Sequence, residues 1–322
     1  MRCRIIVFFF LIVFLVFTTG CVNNEKNHQE SEIRIVTTYS PATDMVLSLS
    51  GKDNLVAVDD NSIKSDLLKK LHPKHELIGI GSKKNGINIE QIISLNPDVV
   101  ILYPTNDSDD TMEQLEHKGI KVVKINPETM DLLKHDIFMV GKAIGKEKEA
   151  NELIAYMNTK LDDVINRVKD IINKKNIYLA GARGVLSTCS GSFYQHEIIT
   201  LAGGYDFAEY LVGGWNEISV EQLVNWNPDV IITVNYSPDN VTSILDNQLL
   251  SSIKAINEGQ VYEIPSNIDS WDLPKPSSIL GILWMGKTLY PDKFTDIDLM
   301  KETNDFYTKF YGQTFEELGG TF

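Results

Sequence analysis

One phrase is written twice in this chain. Residues 87–101 read INIEQIISLNPDVVI, and residues 218–232 read ISVEQLVNWNPDVII. At a constant offset Ile87 matches Ile218, Glu90 matches Glu221, Gln91 matches Gln222 and Asn96 matches Asn227. Self-similarity of this length implies two copies of one supersecondary unit, which constrains the fold more tightly than composition does. Asn88 and Ser219 are good helix N-caps, with Gln91 and Gln222 at capping-box spacing. A short helix follows in each copy and is closed by Asn-Pro at 96–97 and 227–228. DVVILY and DVIITV are then β-branched apolar runs of the kind that parallel strands bury on both faces.

The rest of each half alternates in the same manner. RIVTT is a β-rich run, Pro41 suits the first turn of a helix ending near Gly51, and NLVAVD is another strand. IKVVKIN in the first half is answered by IKAINEGQVYEIP in the second. Between the halves, Leu153, Ile154, Met157, Leu161, Val164, Ile165 and Val168 recur at helical spacing with no Gly or Pro among them. NIYLAG then opens the second half, and the chain ends in a mostly helical tail. The expected fold is α/β: two lobes with parallel sheets flanked by helices, joined by one long helix, with a cleft between them. The expected boundaries are 33–145 for the first lobe, 146–173 for the connecting helix and 174–322 for the second lobe and tail.

The N-terminus carries a different signal. Arg2 and Arg4 precede the apolar run IIVFFFLIVFLVF, then TTGC, then a polar stretch to about Ser31. A charged start, a short apolar core and small residues make a secretory signal over 1–20. Cys21 after Gly20 is similar to a lipobox cysteine, although Thr18 stands where that motif ordinarily has an aliphatic residue. Lipidation at Cys21 would leave 21–32 as a flexible tether; an uncleaved N-terminal anchor is the alternative. Either way the body is expected outside the cytoplasmic membrane. Removing Cys3 and lipidating Cys21 leaves only Cys189, so no internal disulfide is available.

The 322 residues carry a net charge of −14, which argues against a nucleic-acid partner. GIGSKKNG is not a P-loop, and no Gly-x-Ser-x-Gly elbow occurs. His72 and His75 straddle Pro73 and fit no tight metal motif; His196 in FYQHEI is the one histidine that could reach the cleft.

The order of these motifs, with SWDLPKPSSILGILWMGKTLYP near the end, resembles extracytoplasmic solute-binding proteins of the iron-siderophore, haem and cobalamin class over about residues 33–291. The resemblance implies a monomeric binding protein and no enzyme. It would hold no cofactor of its own and would deliver a ferric siderophore, haem or corrinoid to the permease dimer and ATPase of an ABC importer. An extracellular sensor on the same fold, or an α/β enzyme, are the alternatives. Acids at Glu90 and Glu221 complement a helix dipole in any case; the resemblance implies that they dock with permease arginines.

The remaining expectations concern the cleft. Lys84 and Trp215 stand six residues before each glutamate, on loops expected to enter it, and Trp215 is suited to stacking on a flat ligand. Tyr39, Ser40, Tyr103 and Arg183 each follow an expected strand, where cleft side chains emerge; an arginine there could pair with an anionic chelate. Trp271, in SNIDSWDLPKPSS, has no helix or strand of its own to fix it and is expected to face Trp215 or Tyr103 across the cleft.

Overall fold

The computed structural model describes residues 33–322, apart from 73–76, 83 and 105–107. The expected signal segment, tether and lipidation site Cys21 lie outside the described residues, as does His75.

Two parallel sheets carry the fold. In spatial order the first is Ile78–Gly79, Leu55–Val58, Ile35–Thr37, Val99–Leu102 and Lys121–Lys124. The second is Tyr205–Asp206, Asn176–Ala180, Val230–Val234 and Val261–Ile264. Every pairing within them is parallel, so each neighbouring pair needs a crossover. The repeated strand occupies the same place in both: it lies between the opening strand of its sheet and the strand that follows it in sequence.

Several letters of the repeated phrase have a geometric reason. Asn88 and Ser219 cap their helices by accepting the Gln91 and Gln222 backbone N–H at 3.0 and 3.1 Å. Asn96 and Asn227 both turn out of the helix at φ 46°, a left-handed conformation that asparagine tolerates better than most residues. The aspartate that follows ties the strand to its neighbour. Asp98 Oδ2 accepts the Arg34 N–H at 2.7 Å, and Asp229 Oδ2 accepts the Asn176 N–H at 2.8 Å.

Strand periodicity then divides the core. Ile35, Val99 and Ile101 of the first sheet, and Ile177, Leu179, Val230 and Ile232 of the second, belong to one large cluster. Their alternates face outward: Val36 and Val100 pack with Ile92 of the first repeat helix, and Tyr178 and Ile231 pack with Leu223 of the second. The helix Glu147–Val168 joins the two halves through 22 residues, about 33 Å at 1.5 Å per residue. Its Ala150, Leu153, Met157, Leu161, Val164 and Val168 are buried in the large cluster. The largely apolar helix Ser278–Leu289 packs against it, and the tail forms the helix Leu299–Tyr311.

The tail corrects one expectation. Trp271 does not face the cleft. It is fully buried, its Nε1 donates to the Tyr307 hydroxyl at 3.2 Å, and its ring lies 5.7 Å from those of Phe315 and Phe322. Its backbone oxygen would come within 2.5 Å of a Cβ on Gly281, so that glycine lets the loop seat on the helix. The loop has no regular structure of its own, but the C-terminal residues cover it from below.

Candidate functional site

Ligands of open parallel sheets bind outside the carboxyl ends of the strands. Tyr39 and Ser40 follow the strand Ile35–Thr37, Tyr103 follows Val99–Leu102, and Glu128 lies beyond Lys121–Lys124. In the second lobe, Asn235 and Tyr236 follow Val230–Val234, and Asp269 lies beyond Val261–Ile264. All of these line one cleft of about 880 Å³.

Each lobe contributes an aromatic pair. The Tyr39 and Tyr103 rings are 4.2 Å apart and tilted by 47°. Phe193 and Trp215 meet edge to face at 5.7 Å. Trp215 is on no free rim: it begins the strand Trp215–Glu217, which pairs antiparallel with Ser187–Cys189. Its indole lies over Gly181, where a Cβ would fall 1.9 Å from Cζ3. Burial, reinforced by the nearby Glu128 carboxylate, pushes both phenols of the first pair above their ordinary pKa. They therefore stay protonated, and the Tyr103 hydroxyl donates to Glu128 Oε1 at 2.8 Å.

A buried charge cluster lies at the cleft wall. Lys275 Nζ is 2.5 Å from Asp44 Oδ2 and 2.8 Å from Asp269 Oδ1. The hydroxyls of Ser277 and Tyr307 donate to Asp269 Oδ2 at 2.5 and 3.2 Å. Burial raises the Asp44 carboxyl to about 7 in spite of Lys275. For Lys275, burial alone would lower the ammonium, but Asp269 and Asp44 outweigh it and hold it protonated. Beside this cluster, Asp272 Oδ2 accepts from Gln195 Nε2 at 3.1 Å and from the Tyr236 hydroxyl. Burial, the largest influence, raises the Asp272 pKa.

Of the residues expected in the cleft, Tyr39, Ser40, Tyr103 and Trp215 line it together. Three do not. Lys84 is exposed between the short strands Gly81–Ser82 and Gly86–Ile87 and does not line the cleft. Arg183 is largely exposed, with its guanidinium 3.6 Å from Glu217, and Trp271 is buried beneath its loop. His196 Nδ1 is engaged by the buried Asp206 Oδ2 at 2.9 Å, away from the cleft lining. Among the described residues no group of three or more His, Cys, Asp or Glu side chains could hold a metal ion. Glu90 and Glu221 stand exposed in the first turns of the helices Ile89–Ser94 and Val220–Trp226. The Glu221 carboxylate is held below its usual pKa by its own backbone N–H and the Ser219 hydroxyl.

Several lining residues escape the sequence reading. Asn235 and Tyr236 follow a strand just as Tyr103 does, so the same rule reaches them. Glu128 lies past IKVVKIN and is within that rule at a longer reach. Phe193, Gln195 and Lys275 carry no local signal.

Residues 35–268 match the protein family described as periplasmic binding protein. The chain is 31% identical over 271 residues to the molybdate-binding protein MolA of Haemophilus influenzae, covering 77% of this chain and 76% of that protein. It is 25% identical over 228 residues to a vitamin B12-binding protein of Yersinia pestis, covering 70% and 78%. Among solved structures, MolA bound to molybdate superposes with a TM-score of 0.75 at 26% identity, over 87% of this chain and 93% of that one. Helicobacter pylori CeuE with Ni(II) bound shares the fold, with a TM-score of 0.76 at 24% identity over 89% and 93%.

Proposed function

The chain belongs to the periplasmic binding protein family, and on that premise we propose that it is the substrate-binding lipoprotein of an ABC importer whose cargo is a metal chelate. The periplasmic binding proteins it resembles work outside the cytoplasm, which supports the same location for this protein. The molybdate and vitamin B12 in their names are the cargoes of those relatives.

The observation that carries the chelate reading is the cleft. Its volume of about 880 Å³ suits a complex organic ligand, since drug-sized molecules occupy pockets of roughly 300–1,000 Å³. Aromatic pairs on both lobes offer faces and edges to a flat or bulky apolar framework, with hydroxyls and amides between them. A small oxyanion is held by converging N–H groups or cations instead. Among the described lining residues the cations are Lys64, which is exposed, and Lys275, which is already paired. Ferric siderophores, haem and corrinoids all answer to this description.

The duplicated helices support delivery to a permease. Glu90 and Glu221 offer one exposed carboxylate per lobe at matching register, suited to arginines on the two halves of a permease dimer. Lipid on Cys21, with 21–32 as a tether, would hold the protein at the outer side of the membrane. Native mass spectrometry of protein purified without denaturation tests the cargo. A co-purified metal complex is the expected result; molybdate as the bound species would overturn the chelate reading.

A further inference from the structure

We propose that the cleft selects a chelate of net positive charge and that Glu128 is the residue that reads this charge, an inference that rests on the chelate reading above. Glu128 lines the cleft half-buried, beside the Tyr39–Tyr103 pair. Its Oε1 takes the Tyr103 hydroxyl at 2.8 Å, and the side chain forms no ion pair among the described residues. The backbone that carries it is pinned on both sides. The Asn126 N–H donates to Asp136 at 2.8 Å, and the Met130 N–H donates to Glu197 of the second lobe at 2.6 Å. The carboxylate is thus held in place by neighbours that do not neutralise it.

The charges around it do not offset it either. Lys275 is neutralised by Asp44 and Asp269, and the charge of the exposed Lys64 is screened by solvent; Asp66 on the same stretch of wall is paired with Lys69 at 3.1 Å. A neutral ligand closing over Glu128 strips water from a carboxylate and returns no charge, while an anion adds repulsion. A cationic complex returns the lost solvation, and the Tyr and Trp rings can add cation–π attraction. The net charge of −14 favours the approach of the same ligands.

Matched ligands isolate the charge. Ferrioxamine B carries a free ammonium, and its N-acetylated form is the same complex without that charge. Diaquacobinamide and dicyanocobinamide form a second cationic and neutral pair; molybdate and a ferric tris-catecholate are the anions. Calorimetric titration of the purified protein should show the cationic member of a pair binding about tenfold more tightly, as expected of a hydrogen bond to a charged group. Glu128→Gln, which keeps an acceptor for Tyr103, should abolish that preference, weakening the cationic member and tightening the neutral one, which no longer desolvates a carboxylate. Glu128→Lys should shift the preference towards the anions. Equal binding of both members of every pair, or a preference that survives in Glu128→Gln, overturns the charge proposal and leaves the chelate reading intact. Molybdate preferred over every chelate, or no chelate bound at all, overturns both.

Discussion

The ammonium of Lys275, on the irregular loop of the second lobe, lies 2.5 Å from the carboxylate of Asp44 in the first helix of the first lobe, with both side chains buried. This pair ties the lobes together at the wall of the cleft, and Asp269 holds the lysine from its own side at 2.8 Å. Removing the lysine leaves two carboxylates in an apolar setting. Lys275→Met should therefore destabilise the protein by about 3–5 kcal/mol in chemical denaturation, the usual cost of breaking a buried pair from one side. A loss below about 1 kcal/mol, the range of an exposed pair, would show that water reaches the cluster.

The same pair makes stability depend on pH with an unusual sign. Burial raises the Asp44 carboxyl from 3.8 to about 7, so the folded chain holds that proton more readily than the unfolded one. The contribution of this group is fully present below about pH 4 and is lost as pH rises to about 7. Asp44→Asn removes it. Thermal melts of both proteins should show the wild type losing ground to Asp44→Asn across that window and running parallel to it above. A constant difference at every pH would be the contrary result.

Trp215 depends on Gly181 for its place in the cleft, because any Cβ at 181 would strike the indole ring. Gly181→Ala should weaken chelate binding about as much as Trp215→Ala, on the order of ten- to a hundredfold for the loss of an aromatic face. If Gly181→Ala bound ligand normally, the indole would have room to shift without cost.

The two tryptophans should separate stability from binding. Trp271→Ala empties a core site against Tyr307, Phe315 and Phe322, and should cost about 3–5 kcal/mol of stability. Trp215→Ala should leave the melting temperature nearly unchanged and reduce affinity instead. Comparing melting curves with titrations of the folded variants checks both halves; the reverse pattern would mean that the two roles are exchanged.

Docking is tested away from the cleft. Replacing both Glu90 and Glu221 with Ala should lower ligand-stimulated ATPase activity of the reconstituted importer by more than about tenfold at limiting binding protein, since rim charges govern encounter. Chelate affinity should hold. A matching loss of affinity would place these carboxylates at the ligand. For the anchor, Cys21→Ala should abolish metabolic lipid labelling, and labelling that persisted would exclude that cysteine.

Much of the architecture was decided by residues adjacent in sequence. Caps at Asn88 and Ser219, left-handed Asn96 and Asn227, and the β-branched runs after them act through contacts a few residues long. They can be read in order, and their repetition announced two equivalent sheets. Tyr39 and Tyr103 were legible for the same reason, since a strand's end sets what comes next. Trp271 was not. Its own loop contains nothing to bury it, and the C-terminal tail, folded back from residues 299–322, covers the ring. The Asp44–Lys275 pair and the exclusion of Lys84 and Arg183 from the cleft are likewise tertiary. Burial and charge pairing depend on which distant segments arrive at a side chain, and local propensity carries no record of that.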